Sequence, residues 1–213
     1  MSGSATTTAR EQTRQDGARA DKAQRRRDEL ADAALETLAR LGYARTSLRE
    51  IAHQSDLSHG VVHYYFADKH ELIAYCVGRY KRTCVRRHDE LAASAATCAE
   101  LRDGMAAECR RTMVEEGEMH RLWYDLRTQS MYEPALRDVV RGVETELVEM
   151  MGHMTQRYAD LAGVPAPSPL MVYTGFDGLF EHCLVAHYLG DETAADTLER
   201  GLRTLFDQIA PAS

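Results

Sequence analysis

Apolar positions along this chain recur at helical rather than alternating spacing. Leu30, Ala34, Leu38 and Leu41 mark one face of a helix that Gly42, suited to the left-handed conformation, is placed to end. Ser47-Leu48-Arg49-Glu50 has the form of a capping box, with Ser47 set to accept from the Glu50 N–H. It predicts a second helix, which the turn-like Ser55-Asp56-Leu57-Ser58 limits to about Gln54. A short third helix follows with Val61, Val62, Tyr65 and Phe66. Asp68-Lys69-His70-Glu71 is a second box, opening a long helix through Leu72, Ile73, Cys76 and Tyr80.

The rest of the chain is punctuated in the same way. Thr97-Cys98-Ala99-Glu100 opens a helix, Gly117 interrupts, and Pro134 suits a first helical turn. Gly163 to Pro169 reads as a loop that ends with Ser168 as cap and Pro169 in the first turn. Val143, Leu147, Met150, Met154, Tyr158 and Leu161 form one stripe, and after Gly190-Asp191 come Leu198, Leu202, Leu205, Phe206 and Ile209. Leu170 to Leu189 is apolar on nearly every face, which predicts a helix covered on both sides. A second copy of the chain is the expected cover, giving a homodimer through the helices near 169–189 and 192–209; a central core helix within a monomer is the alternative. No segment alternates as a strand would, so the fold class is all-α.

With 213 residues, 44% hydrophobic and 28% charged, the chain is long and apolar enough to fold as one large or two small domains. Residues 1–21 are small or polar with no apolar period and are expected to form a disordered tail. The tail runs into the basic Arg25, Arg26 and Arg27, read either as a solvated run or as a phosphate-binding arm. Residues 22–67 then make a three-helix N-terminal domain and 68–213 a C-terminal helical bundle. No window approaches the roughly 18 apolar residues of a membrane span, and no signal peptide is apparent, so a cytoplasmic protein without a membrane partner is expected. Five cysteines without a CxxC pair fit a reducing compartment, most of them as small core residues.

The net charge of -7 conceals a split. Residues 1–90 carry 16 Lys/Arg against 13 Asp/Glu, a surplus of +3; residues 91–213 carry 10 against 20, or -10. A nucleic acid senses the local field, so the acidic average does not exclude one. Helix, tight turn and short helix near a basic N-terminus form the helix-turn-helix arrangement that lays its second helix in the DNA major groove. The third helix would then read bases, offering Ser58, His59, Gly60, His63 and Tyr64, with Val61 and Tyr65 beside them and Val62 and Phe66 turned inward. Thr46, Ser47 and Arg49 at the start of the second helix, and Lys69 at the start of the fourth, would sit over flanking phosphates.

Thr46-Ser47-Leu48-Arg49-Glu50-Ile51-Ala52, followed by Leu57-Ser58-His59-Gly60-Val61-Val62-His63-Tyr64-Tyr65-Phe66-Ala67-Asp68-Lys69, resembles the DNA-binding domain of TetR-family transcriptional regulators. The resemblance covers about residues 22–75. It implies a dimeric, all-helical repressor with a ligand-binding C-terminal bundle, released from a palindromic double-stranded DNA operator by a small-molecule effector. Carried over by position, its DNA contacts fall on His59, Gly60, His63, Tyr64 and Lys69. Two residues depart from the family pattern. Asp56 stands where the turn usually has Gly, a substitution the left-handed conformation tolerates. His63 replaces the usual Tyr, a change expected to alter base preference and to couple DNA affinity to pH.

The effector half carries no motif of comparable specificity, although Leu122 to Arg127 and Tyr132 to Leu136 faintly resemble the choline-responsive branch. His120, Tyr124 and Arg127 share one side of a helix and are candidates to orient a polar ligand, with a salt-bridged surface as the alternative. Met119, Trp123, Met150, Met154, Tyr173, Phe176 and Phe180 are candidates for an apolar pocket, or for ordinary core. His182 and His187 are five residues apart and diverge around a helix, so no metal site and no cofactor is expected. Asp177 and His182 could instead form hydrogen bonds across the dimer. Without HExxH, P-loop, GxSxG or a dinucleotide fingerprint, an enzyme is not expected. An architectural DNA binder lacking an effector is the alternative to a ligand-responsive repressor.

Overall fold

The computed structural model describes the backbone of residues 4–42, 46–54 and 58–209 and, within them, the side chains of residues 17, 19–42, 46–53, 58 and 60–209. All regular structure among the described residues is helical. The chain forms two compact units, Met1–Cys76 and Val77–Ser213.

The first unit holds α1 (Ser4–Leu41), α2 (Leu48–Gln54), α3 (His59–Tyr65) and the start of α4 (Lys69–Ser94). Leu30, Ala34 and Leu38 of α1, Leu48 and Ile51 of α2, Val62 of α3 and Leu72 and Ile73 of α4 are buried, as is Phe66 just after α3, and together they make one core. Gly42 ends α1 at φ 76°, its N–H donating to the Leu38 carbonyl at 2.8 Å. Two of the sequence expectations need correction here. The segment expected as a disordered tail over 1–21 is helical backbone from Ser4 onward. Its Ala, Arg, Gln and Lys are good helix formers, and the apolar period it lacks reports burial, not helicity. The boundary between units falls after Cys76, not before residue 68. The first turns of α4 belong to the first core because Tyr75 bonds Asp28 and the Cys76 thiol donates to the Ala31 carbonyl at 3.4 Å.

The second unit contains the remainder of α4 with α5 (Cys98–Glu115), α6 (Gly117–Gln129), a 3-10 turn at Pro134–Leu136, α7 (Arg137–Ala162), α8 (Pro169–Tyr188) and α9 (Ala194–Ile209). α5 packs on α7 and α9, and α8 packs on α6, α7 and α9. Leu198, Leu202 and Phe206 of α9 are fully buried, worth roughly 1.5–3 kcal/mol each. Arg102–Asp207 at 2.8 Å and Arg203–Asp103 at 3.0 Å tie α5 to α9 along the edge of that stripe. α9 approaches α8 so closely that a Cβ at Gly201 would lie 2.7 Å from Leu179 Cδ2.

Local signals behave as the sequence predicts at most helix ends. The Glu100 N–H donates to Thr97 Oγ1 at 3.2 Å while the Glu100 carboxylate accepts from the Ala96 N–H at 2.8 Å, and Gly163 closes α7 at φ 70°. Ser168 occupies the cap of α8 with no side-chain cap bond; Pro169 in the first turn sets that helix's start. α8 divides its apolar residues between two faces. Val172, Tyr173, Phe180, Cys183 and Leu184 are buried, whereas Leu170, Met171, Val185 and Leu189 are exposed.

Candidate functional site

In the first unit, the residues that could meet DNA are positioned by caps and by two core anchors. Ser58 begins α3 from extended backbone, and its Oγ accepts from the Val61 N–H at 3.2 Å. The far end is fixed where the Phe66 N–H donates to the Val62 carbonyl at 3.0 Å, with both side chains sealed in the core. A seven-residue helix held at both ends presents its other face outward. Ser58, Gly60 and His63 are exposed, Tyr64 is 81% exposed, and Val61 and Tyr65 are half-buried. The His59 side chain and Asp56 lie outside the described residues.

Gly60 has open space where a Cβ would stand, so nothing in the protein's own packing requires glycine there. A glycine in a helix costs about 1 kcal/mol relative to alanine, and a requirement from outside the chain would account for it.

Around α3 the flanking groups are likewise set by caps. The Glu50 N–H donates to Ser47 Oγ at 3.1 Å, leaving Ser47 and Arg49 exposed at the start of α2. The Glu71 N–H donates to Asp68 Oδ1 at 2.9 Å and the Glu71 carboxylate accepts from the Ala67 N–H at 2.8 Å, which places half-buried Lys69 in the first turn of α4. Thr46 departs from expectation. It is buried, and its hydroxyl donates to the Gly42 carbonyl at 2.6 Å, so it is committed to the end of α1 and is not offered to a backbone phosphate.

Arg25 and Arg26 are exposed and share an open groove with Arg19, Lys22 and Tyr65, four cations beside the C-terminal end of α3. Arg26 is also paired with Glu29 at 2.8 Å. Arg27, next in the same basic run, does something else. Its guanidinium stacks over Phe66 at 4.8 Å and Tyr75 at 4.5 Å and pairs with Glu71. Composition alone does not separate this structural arginine from its exposed neighbours.

The second unit contains a separate cavity with about 40 Å³ of free space, room for about two or three waters. His120, Trp123 and Tyr124 of α6, Met150 of α7, and Tyr173, Phe176 and Phe180 of α8 line it, all of them sequence candidates. The other three candidates lie elsewhere. Met119, one position from His120, is turned about 100° away around the helix. Met154 is fully buried a turn beyond Met150. Arg127 is held by Asp177 at 2.5 Å and Glu144 at 2.9 Å.

Asp177 is correspondingly not a dimer-bridging partner of His182. It is buried, and its other oxygen accepts from the Tyr124 hydroxyl at 3.1 Å. Burial first, and the Asp177 carboxylate second, push the Tyr124 hydroxyl up, so it stays protonated and donates.

Lys81, Cys84 and His88 of α4 and Cys109 of α5 also line the cavity and were not among the sequence candidates. The signal was available: Val77, Lys81, Cys84 and His88 follow one another at spacings of four, three and four, which places Lys81 and His88 on a buried stripe. The density of arginines in this stretch of α4 hides it. His88 Nδ1 faces the Cys84 carbonyl at 2.7 Å and must carry the proton, leaving Nε2 to accept from the Cys109 thiol at 3.7 Å. His120 Nε2 lies 3.0 Å from the Tyr80 hydroxyl and its Nδ1 3.5 Å from Lys81 Nζ. Burial lowers the pKa of Lys81, His88 and His120 alike; beside Lys81, His120 falls well below its ordinary value.

Comparison with known proteins gives these two sites a context. Residues 30–76 match the model of the bacterial regulatory proteins of the tetR family. An HTH-type transcriptional regulator BetI from Burkholderia thailandensis is 35% identical over 115 residues, covering 53% of this chain and 58% of that protein. The BetI of Paraburkholderia phymatum is 33% identical over 114 residues, with the same two coverages. The chain thus spans little more than half the length of these curated relatives.

Among solved structures, a TetR transcription regulator from Haloarcula marismortui aligns over 87% of this chain and 98% of its own, with TM-score 0.71 and 19% identity. Reduced NemR of E. coli aligns over 88% and 100%, with TM-score 0.72 and 13% identity. FadR of Bacillus subtilis, in complex with stearoyl-CoA, aligns over 86% and 98%, with TM-score 0.70 and 14% identity. At such identities the likeness is one of fold, and it extends through both units. Residues 30–76 therefore match the tetR family of bacterial regulatory proteins in sequence, and the chain shares its fold with solved TetR-family regulators.

Proposed function

We propose that the protein is a ligand-responsive, DNA-binding transcriptional regulator: a homodimeric repressor that leaves a palindromic operator when a small molecule occupies the cavity of the second unit. The observation that carries this reading is the outward face of α3, where Gly60, His63 and Tyr64 are exposed on a helix whose inner face, through Val62, is locked into the family's DNA-binding core. α3 reads base edges in the major groove; Ser47, Arg49, Lys69 and the groove of Arg25 and Arg26 hold phosphates. The exposed apolar face of α8, with Leu170, Met171, Val185 and Leu189, supports pairing of two copies through α8 and α9. Occupation of the cavity acts through α4, which contributes Lys69 to the first unit and Lys81 to the second. A ligand works as a switch only to the extent that it prefers one state of that helix.

Fluorescence anisotropy at fixed salt, with DNA from beside the protein's own gene and a scrambled control, tests the reading. Saturable binding to the native DNA at least about a hundredfold tighter than to the control is expected. Equal, weak binding to both, followed by no enriched sequence on selection from random DNA, would refute it.

A further inference from the structure

Lys81 is 6% exposed, lines the cavity and makes no ion pair among the described residues. Its Nζ is surrounded instead by Trp123 at 5.3 Å, Tyr80 at 5.8 Å and His120 Nδ1 at 3.5 Å. Trp123 is fully buried, lines the same cavity, and its indole N–H has no hydrogen-bond partner among the described residues. Two donor groups therefore belong to residues that line one small space, the indole N–H without an acceptor and the ammonium with only His120 Nδ1 within hydrogen-bond distance among the described residues. The acids nearby are already committed: Asp177 accepts from Tyr124 and pairs with Arg127, and Glu144 pairs with Arg127 and accepts from Tyr173. Asp177 and Glu144 thus share the one Arg127 guanidinium and act on Lys81 only through space, so its ammonium hydrogens are not taken up by a carboxylate among the described residues.

We infer that the cavity takes a small carboxylic acid, with the ligand's carboxylate seated between Lys81 Nζ and Trp123 Nε1 and its apolar body against Met150, Phe176 and Phe180. The inference rests on the reading of this cavity as the effector site. An ammonium can only donate, so with an anion bound Lys81 gives one hydrogen to His120 Nδ1, and His120 Nε2–H in turn donates to the Tyr80 oxygen. Two ammonium hydrogens remain for the carboxylate.

A cationic ligand finds no such place. The face of Trp123 is already covered by Lys81, and no uncommitted carboxylate lines the space. A neutral ligand can accept from the ammonium but makes only the weaker hydrogen bond of an uncharged acceptor. Burial, which lowers the Lys81 pKa in the empty protein, is opposed by an incoming anion, which favours the charged amine. The free space of about 40 Å³ suits a short-chain acid, and a single-ring acid enters only as Met150 and the half-buried Phe176 move aside.

Trp123 is the only tryptophan in the chain, so its fluorescence reports occupancy directly. The full-length protein is titrated with benzoate, benzamide and benzyltrimethylammonium, which share a ring and differ in head-group charge. Benzoate should give a saturable change at least about tenfold tighter than the other two, as a charged hydrogen bond implies. Lys81→Met, which exchanges a buried amine for an apolar side chain of similar length, should keep or raise the melting temperature and abolish the benzoate preference while leaving benzamide unchanged.

The inference is overturned if benzamide or the cation binds as tightly as benzoate, if the preference survives Lys81→Met, or if none of the three saturates. DNA anisotropy on the same samples separates the two levels. Release of DNA by a neutral or cationic compound that also perturbs Trp123 sinks the acid assignment and keeps the effector site. A protein that binds no DNA specifically sinks the regulator reading whatever the cavity prefers.

Discussion

Arg127 of α6 and Asp177 of α8 close on each other with Nη1 2.5 Å from Oδ2, and the Arg127 Nε reaches Glu144 of α7 at 2.9 Å. One guanidinium thus joins three helices at the edge of the cavity, and Asp177 passes the constraint on to Tyr124, a cavity residue. Arg127→Met removes the only cation paired with the buried Asp177 among the described residues. The expected loss of stability is about 2–3 kcal/mol, below that for a wholly buried pair because the Arg127 side chain is 36% exposed. Urea unfolding checks the value. The double variant with Asp177→Asn should recover much of the loss, whereas equal instability of single and double variants would show that the pair does not carry the effect.

Gly60 separates what the fold needs from what DNA needs. Since a Cβ there meets open space, Gly60→Ala should stabilise the protein by about 0.5–1 kcal/mol through α3 propensity. The same methyl, placed on the surface that would approach DNA, should weaken specific binding by roughly tenfold, or ~1.4 kcal/mol. Thermal unfolding and DNA anisotropy on one variant check both. Unchanged DNA affinity would place the approach elsewhere on the domain.

Lys69 and His63 should fail in different ways. Lys69→Ala should weaken all DNA sequences about equally and lower the slope of log K against log salt by about 1, as loss of one phosphate contact does. His63→Gln should leave that slope unchanged and shift base preference, by about 1–3 kcal/mol at the affected position. A salt titration on cognate and scrambled DNA distinguishes them, and an unaltered slope for Lys69→Ala removes Lys69 from the phosphate contacts.

The sequence exposes most of this architecture because its helix ends are marked chemically. Ser47 with Glu50, Asp68 with Glu71 and Thr97 with Glu100 all form the cap bonds that their spacing predicts, and Gly42 and Gly163 take positive φ where helices stop. What it hides is the difference between residues of one type in one run. Arg25 and Arg26 face an open groove while Arg27 stacks on Phe66 and Tyr75, and Thr46 turns inward while Ser47 remains exposed. These outcomes depend on where α3 and α4 lie against α1, information carried by distant parts of the chain. The cavity was legible on α6 and α8, where aromatic residues announce it, and not on α4, where the buried Lys81 sits among solvent-seeking arginines.

The paired buried histidines predict how stability responds to acid. His88 and His120 are both held below their ordinary value of 6.5, chiefly by burial, so the unfolded chain binds protons at these positions at a pH where the folded protein does not. Stability must then fall as pH drops below about 6.5, and keep falling until the folded-state values are reached. Other charges bear on the two sites. Lys81 and Arg87 reinforce the lowering at both histidines, while the Glu108 carboxylate and the bond to the Cys84 carbonyl oppose it at His88. Melting temperatures from pH 8 to pH 5 should be nearly level above pH 7 and then decline. Replacing both histidines by glutamine, which can still donate and accept hydrogen bonds, should flatten the decline even if it lowers the melting temperature at pH 8. A decline of undiminished steepness in the double variant would assign the acid sensitivity to carboxylates such as Asp103 and Glu108, which arginine partners hold below their ordinary values and whose protonation costs the fold at lower pH.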